Sequence, residues 1–83
     1  MNYRFRPSAD KQFAKLDSDI QSMIVRKLDY FLSSPSPLAF AKRLKHFHAG
    51  QYRFRVGDYR IIFDVEDDTI VVLALGHRRD IYA

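Results

Sequence analysis

Cysteine and tryptophan are both absent from the 83-residue chain, and glycine and proline occur three times each. A chain without cysteine has no disulfides and no thiolate chemistry, so nothing in it points to secretion. A reducing cytoplasm is therefore the expected location. The opening residues, MNYRFRPSADK, are polar and charged, unlike a signal peptide or a membrane-spanning segment. We expect no membrane role.

The composition is that of a small globular protein. Hydrophobic residues make up 47% of the chain and charged residues 29%, which suits a single folded domain over residues 1–83. Fourteen Lys and Arg residues against ten Asp and Glu residues give a net charge of +4. The excess is concentrated in residues 42–60, which hold six basic residues and one acidic residue. This concentration favours contact with a polyanion.

Hydrophobic patterning predicts an α+β fold. Residues 3–6 alternate as a short strand that stops at Pro7, and Ser8 is placed to cap a helix that runs to about residue 16. A second, strongly amphipathic helix starts at Asp17 or Ser18 and ends at the serine- and proline-rich residues 33–37. Strands are expected at 43–47, on both sides of Gly57-Asp58, and at 69–75. The last of these is apolar enough to be a central strand. The order is an N-terminal strand, an antiparallel helical hairpin, and a three- to four-stranded antiparallel meander, with a C-terminal end too short for another helix.

The segment QYRFRVGDYRIIFDV is the most informative part of the sequence. It predicts a β-hairpin in which Gly57-Asp58 is a two-residue loop with glycine at positive φ. Arg55 then faces Arg60, and Arg53 lies on the same face. Like charges opposite each other destabilise a sheet, so the cluster is best explained by a bound anion, and phosphate is the expected one. The alternative is a solvated face whose charges protect an edge strand.

The remaining polar residues give weaker signals. His46 and His48 share a face if they lie on a strand, but no well-spaced third ligand accompanies them, and the acidic group 66–68 is typical of a solvated turn. We therefore predict no metal site. His77 can exchange a proton near neutral pH or can lie in a surface loop. Tyr82 either anchors the C-terminal end or stacks on a nucleobase.

Taken together, these elements resemble the RelE/ParE superfamily of bacterial type II toxins. The resemblance rests on the order of the elements, on QYRFRVGDYRIIFDVEDDTIVVLALGHR, and on the closing RRDIY. It implies the RelE-like microbial RNase and toxin fold over the whole chain. It also implies a small cognate antitoxin that blocks the toxin's site, and no cofactor.

The superfamily divides by activity. RelE-like members cleave messenger RNA on the ribosome without a metal, using a basic cluster and a C-terminal tyrosine, whereas ParE-like members poison DNA gyrase. The RelE-like pattern implies that the catalytic residues are Arg53, Arg55, Arg60, Arg78, Tyr82 and, for proton transfer, His77. Further contacts to nucleic acid are expected from Lys42, Arg43, Lys45 and Arg79. We rank RNA cleavage first, gyrase inhibition second, and an inactive binding protein third.

The implied reaction is attack of an RNA 2′-hydroxyl on its adjacent phosphodiester. Arg55, Arg60 and Arg78 are expected on the phosphate, Arg53 on the neighbouring backbone, and Tyr82 at the 2′-hydroxyl. RelE-like toxins often carry lysine at the hairpin positions, and arginine cannot replace lysine as a base because it stays protonated. The base is then Tyr82 or His77, or else the site works through electrostatics and geometry.

Overall fold

The computed structural model describes residues 1–45 and 50–81, which form one five-stranded sheet with the two long helices against one of its faces. In chain order, the strands are β1 (Asn2–Phe5), β2 (Ala41–Arg43), β3 (Tyr52–Val56), β4 (Tyr59–Glu66) and β5 (Thr69–His77). The helices are α1 (Pro7–Ala14), α2 (Ser18–Ser33) and α3 (Arg78–Ile81), and a short 3-10 turn spans Pro37–Phe40.

The strand order in the sheet is β1-β5-β4-β3-β2. Strands β2 to β5 pair antiparallel as a four-stranded meander, and β1 adds to β5 in parallel. The α+β prediction is confirmed, with the meander at the upper end of the expected number of strands. Strand β5 lies between β1 and β4, as its apolar sequence predicted, and it extends two residues beyond the expected end, to His77.

The main core lies between the sheet and α2. Ile24, Leu28 and Phe31 recur at helical spacing on α2 and are buried against the sheet. The Phe31 and Phe54 rings have centroids 4.7 Å apart, and Phe54 stacks on Phe63 at 4.4 Å. This packing defines a helical face of the sheet, which leaves the opposite face to the residues that alternate with the core residues.

Helix α1 begins differently from the prediction. Arg6 is at the N-cap position and Pro7 at the first turn, where a missing N–H costs nothing, and the helix ends at Ala14. The hydroxyl of Ser8 instead donates to the Leu73 carbonyl (3.1 Å), and the Leu75 N–H donates to Oε1 of Gln12 (2.9 Å). Strand β1 pairs with β5 only as far as Val72. Helix α1 thus satisfies backbone groups of β5 that lie beyond the reach of β1.

Two other boundaries differ from the prediction. The strand expected at 43–47 lies earlier, at β2, because the prolines support a 3-10 turn that delivers the chain directly into it. The C-terminal segment, expected to be too short for a helix, forms the single turn α3. The predictions for His46, His48 and Tyr82 fall outside the described residues.

Candidate nucleic-acid interface

The hairpin between β3 and β4 has the predicted register. Arg55 pairs directly with Arg60 and Val56 with Tyr59, so Gly57 and Asp58 form a two-residue loop. Gly57 has a φ of +59°, the left-handed conformation that glycine adopts at little cost. The two arginines therefore project from the same face of the sheet.

Two further basic residues extend this pair across the sheet. Arg53 lies two residues before Arg55, and its partner on β2 is Lys42. Phe54, between the two arginines of β3, is fully buried on the helical face, so its neighbours project from the opposite side. We call this set, Lys42, Arg53, Arg55 and Arg60, the arginine face.

Arg60 is held in place more firmly than an ordinary surface arginine. The residue is only 8% exposed, and its Nη1 donates to the carbonyls of Gly57 and Tyr59, both at 2.9 Å. Both acceptors are neutral, so the guanidinium is oriented without losing its charge. Within the described part of the chain, its Nε and Nη2 make no hydrogen bond, which leaves donors for an anion.

Beside Arg60, the arginine face is continued by small residues of β5. Arg60 pairs with Gly76 on β5, and Ile62 pairs with Ala74. A Cβ atom built on Gly76 would lie 3.9 Å from the Cδ1 of Ile81. Because that Cβ would project on the same side as Arg60, helix α3 returns towards the arginine face and brings residue 81 next to Gly76.

Arg78 meets the same hairpin from the end of β5. Its backbone N–H donates to the carbonyl of Asp58 (2.7 Å), and its Nε lies 3.6 Å from Oδ1 of Asp58. The Arg78 and Asp58 side chains are 55% and 66% exposed. The loop of the hairpin thus positions two of the predicted site arginines, Arg60 through Gly57 and Arg78 through Asp58.

His77 projects to the other side of the sheet. It pairs with Tyr59, which packs against the core, and the two rings meet edge to face with centroids 5.5 Å apart. Its Nδ1 accepts the backbone N–H of Arg79 (3.1 Å), the bond an N-cap side chain makes to the second residue of a helix. The lone pair of Nδ1 is therefore occupied by a backbone N–H.

Comparison with known proteins identifies the family. Residues 3–82 match the family described as the ParE toxin of the type II toxin–antitoxin system parDE. The chain is 33% identical over 81 residues to Toxin RelG of Mycobacterium tuberculosis, an alignment that covers 95% of this chain and 92% of RelG. This chain belongs to the RelE/ParE family of type II toxins.

Solved structures agree with this assignment. A chain of the toxin–antitoxin complex RelBE2 from Mycobacterium tuberculosis matches this toxin with a TM-score of 0.75 and 30% identity, covering 93% of this chain and 96% of that one. A chain of the RelB–RelE antitoxin–toxin complex from Methanococcus jannaschii gives a TM-score of 0.71 and 30% identity, with coverage of 94% and 93%. The toxin is RelE-like in fold.

The other residues of the toxin that were predicted to contact nucleic acid are dispersed over the structure. Arg43 pairs with Tyr52 on the helical side, with its guanidinium carbon 5.7 Å from the centre of the Tyr52 ring, so it lies away from the arginine face. Lys45 is exposed just beyond β2, and Arg79 is exposed on α3. Of the ten predicted residues, the structure brings Lys42, Arg53, Arg55 and Arg60 onto one face, with Arg78 joined to them through the hairpin loop.

The contact between Asp58 and Arg78 was not predicted from the sequence, where Asp58 was expected only to form the hairpin loop. The two partners are 20 positions apart, and their contact depends on the pairing of Tyr59 with His77, which places residue 78 beside residue 58. The length of β5 is the signal that could have found it. A β5 strand that ended at the predicted residue 75 would have left Arg78 short of the loop.

Two findings bear on other functions. Among residues 1–45 and 50–81, no group of three or more His, Asp or Glu side chains is arranged to hold a metal ion. None of the described helices is both long and apolar enough to cross a membrane.

Proposed function

We propose that this toxin is a ribosome-dependent mRNA endoribonuclease that works without a metal ion and inhibits translation in the cytoplasm. The observation that carries the proposal is the direct pairing of Arg55 with Arg60 on the arginine face. Two cations placed directly opposite each other destabilise a sheet, so the pair is best explained by an anionic ligand. The phosphodiester backbone of RNA is an anion of the right kind.

The proposed reaction uses the RNA as its own nucleophile. The 2′-oxygen attacks the adjacent phosphorus while its proton is withdrawn, and the bond from phosphorus to the 5′-oxygen breaks as that oxygen gains a proton. The products are a 2′,3′-cyclic phosphate and a 5′-hydroxyl end. The protein has to hold the nucleotide in line and stabilise the charge of the pentavalent phosphorane.

The arginines divide this work according to how firmly they are held. Arg60 is fixed by two carbonyls before substrate arrives, so it can stabilise the phosphorane at little cost in reorganisation. Arg55 and Arg78 are exposed and close on the phosphate from either side, where planar guanidinium groups can each grip two oxygens. Arg53 and Lys42 bind the neighbouring backbone, while Lys45, Arg43 and Arg79 contribute to the wider positive field.

We do not assign proton transfer to His77. The nitrogen that His77 would need as a base already accepts the Arg79 N–H, and its ring packs on the helical side. We therefore propose that His77 positions α3 and hence Arg78. Tyr82 stays the predicted partner of the 2′-hydroxyl, four residues beyond Arg78 in the sequence. Most of the rate enhancement then comes from orientation and electrostatics.

We also propose a cognate antitoxin as the physiological partner. Its support is that structural neighbours of this toxin, from Mycobacterium tuberculosis and Methanococcus jannaschii, were solved as toxin–antitoxin complexes. Co-expression with the product of a neighbouring gene should relieve toxicity and yield a stable complex.

The proposal is tested by inducing the toxin without antitoxin, following growth, and mapping transcript 5′ ends. We expect growth arrest with new ends inside translated codons. Arg60→Ala should abolish both effects, because loss of one such electrostatic donor costs about 10² to 10³ in rate. Arg26→Ala is the matched control, since Arg26 is an exposed arginine on α2 that bonds only its own helix among the described residues. Intact transcripts during arrest would refute the proposal.

A second function has one specific observation in its favour. The matching family is described as the ParE toxin, and ParE-like members act on DNA gyrase. Under this alternative, the arginine face contacts gyrase or DNA. Purified toxin that blocks negative supercoiling of a relaxed plasmid, with transcripts left intact, would support it.

A further inference from the structure

Asp58 is the single acidic residue in the basic segment 42–60, and its carboxylate lies against Arg78. We propose that this carboxylate is a built-in competitor of the substrate: it occupies the Arg78 guanidinium in the free toxin and releases it to the RNA phosphate. The inference rests on the proposed function, because it takes a phosphate to be the ligand of Arg78. Asp58 is thus a positioning residue that also sets how readily the site accepts an anion.

Asp58 holds Arg78 through two separable contacts. Its carbonyl accepts the Arg78 backbone N–H at 2.7 Å, which fixes the start of α3 to the hairpin loop whatever the side chains do. Its carboxylate contacts the Arg78 Nε at 3.6 Å, which is an ion-pair distance but long for a strong hydrogen bond. The first contact places Arg78, and the second determines whether its charge is available.

The exposure of the pair makes the second contact exchangeable. Both side chains are more than half exposed, and ion pairs of that kind contribute little stability. A phosphate held by Arg55 and Arg60 as well as Arg78 gains several charge-assisted contacts, whereas Asp58 offers Arg78 one. The phosphate should therefore displace Asp58 from Arg78. Arg60 is the contrasting case, because its partners are neutral carbonyls and its charge is never compensated.

The competition has different consequences for a stray anion and for a correctly placed phosphate. An isolated phosphate that reaches only Arg78 must displace Asp58 without the other contacts, so its binding is weakened. A backbone phosphate seated on the arginine face overcomes the same competition easily. Asp58 thus lowers both affinities by the same factor, and the backbone phosphate stays bound because Arg55 and Arg60 also hold it.

The test compares Asp58→Asn with Asp80→Asn in the full chain. Both substitutions raise the net charge by one, and Asp80 is exposed on α3 with no ion pair among the described residues. Asparagine at 58 keeps the backbone contact and suits a loop position. Binding of inorganic phosphate at Arg78 is followed through the NMR signal of its Nε–H. Binding of a labelled single-stranded RNA is followed by fluorescence anisotropy at low salt.

We expect Asp58→Asn to tighten phosphate binding at Arg78 by about 1.4- to 5-fold beyond the effect of Asp80→Asn, the range of an exposed ion pair. In an Arg78→Ala background, the two asparagine variants should bind RNA equally. Equal phosphate affinities in the presence of Arg78, or weaker binding by Asp58→Asn, would overturn the proposal. The phosphate measurement needs no cleavage, so a toxin that does not cut RNA can still show the Asp58 effect, and a toxin that cuts RNA can lack it.

Discussion

Arg60 and Arg78 are both attached to the loop Gly57-Asp58. Arg60 donates to the carbonyl of Gly57, and Arg78 donates its backbone N–H to the carbonyl of Asp58. Arg60, the second residue of β4, and Arg78, the first residue of α3, are thereby fixed relative to each other through two peptide groups of the loop. The geometry of a two-residue loop sets the spacing of the proposed phosphate ligands.

Gly57→Ala should destabilise the toxin by about 1 to 2 kcal/mol, because alanine in the left-handed region places its Cβ too close to the following carbonyl. Apart from residue 57 and its two chain neighbours, no atom lies within 4 Å of the position that this Cβ would take, so the loss comes from the local backbone conformation and not from a clash with the rest of the fold. Gly57→Asn should lose less, since asparagine tolerates this region. Urea unfolding of the three proteins gives the comparison. Equal stabilities for the glycine and alanine proteins would contradict the structural account of the loop.

Arg55→Ala should have opposite effects on stability and activity. Removing one member of a directly opposed cation pair should stabilise the fold by about 0.2 to 1 kcal/mol, while cleavage falls by at least tenfold because a phosphate ligand is lost. Added phosphate should raise the melting temperature of the wild type more than that of the variant. Arg43→Ala is the control, since Arg43 packs on Tyr52 and faces no like charge there. A loss of stability in Arg55→Ala would show that the pair is not repulsive.

His77→Asn distinguishes a positioning role from a base. Asparagine is a strong N-cap residue and can accept the Arg79 N–H, but it cannot take up a proton. We expect His77→Asn to keep most of the cleavage activity and His77→Ala to lose part of it, with the loss largest in the affinity for RNA. Single-turnover cleavage rates measured across a pH range give the readout. Equal and severe loss in both variants would return the catalytic role to His77.

The sequence predicted the elements that depend on local pattern. The alternation around Gly57-Asp58 gave the register of Arg55 against Arg60, and the spacing of Ile24, Leu28 and Phe31 gave the buried side of α2. Both follow from the period of the backbone, which is fixed by residues close together in the chain.

Features that the sequence did not predict depend on contacts between residues far apart in the chain. Ser8 is a good N-cap residue by type, yet its hydroxyl is used by Leu73, 65 positions away. The orientation of His77 also depends on a distant contact, because the pairing of β5 with β4 turns it to the side of Tyr59. Neither outcome is visible without the register between strands, because a one-residue change in register reverses every face.

The most direct test of the central claim is cleavage by purified toxin of an mRNA held in programmed ribosomes, followed by primer extension. We predict a new 5′ end within the codon in the decoding site for the wild type, with a 5′-hydroxyl on the downstream fragment. Arg60→Ala should reduce the rate by about 10² to 10³ and Arg26→Ala should leave it unchanged. An intact message with the wild-type toxin, or equal cleavage by Arg60→Ala, would contradict the account.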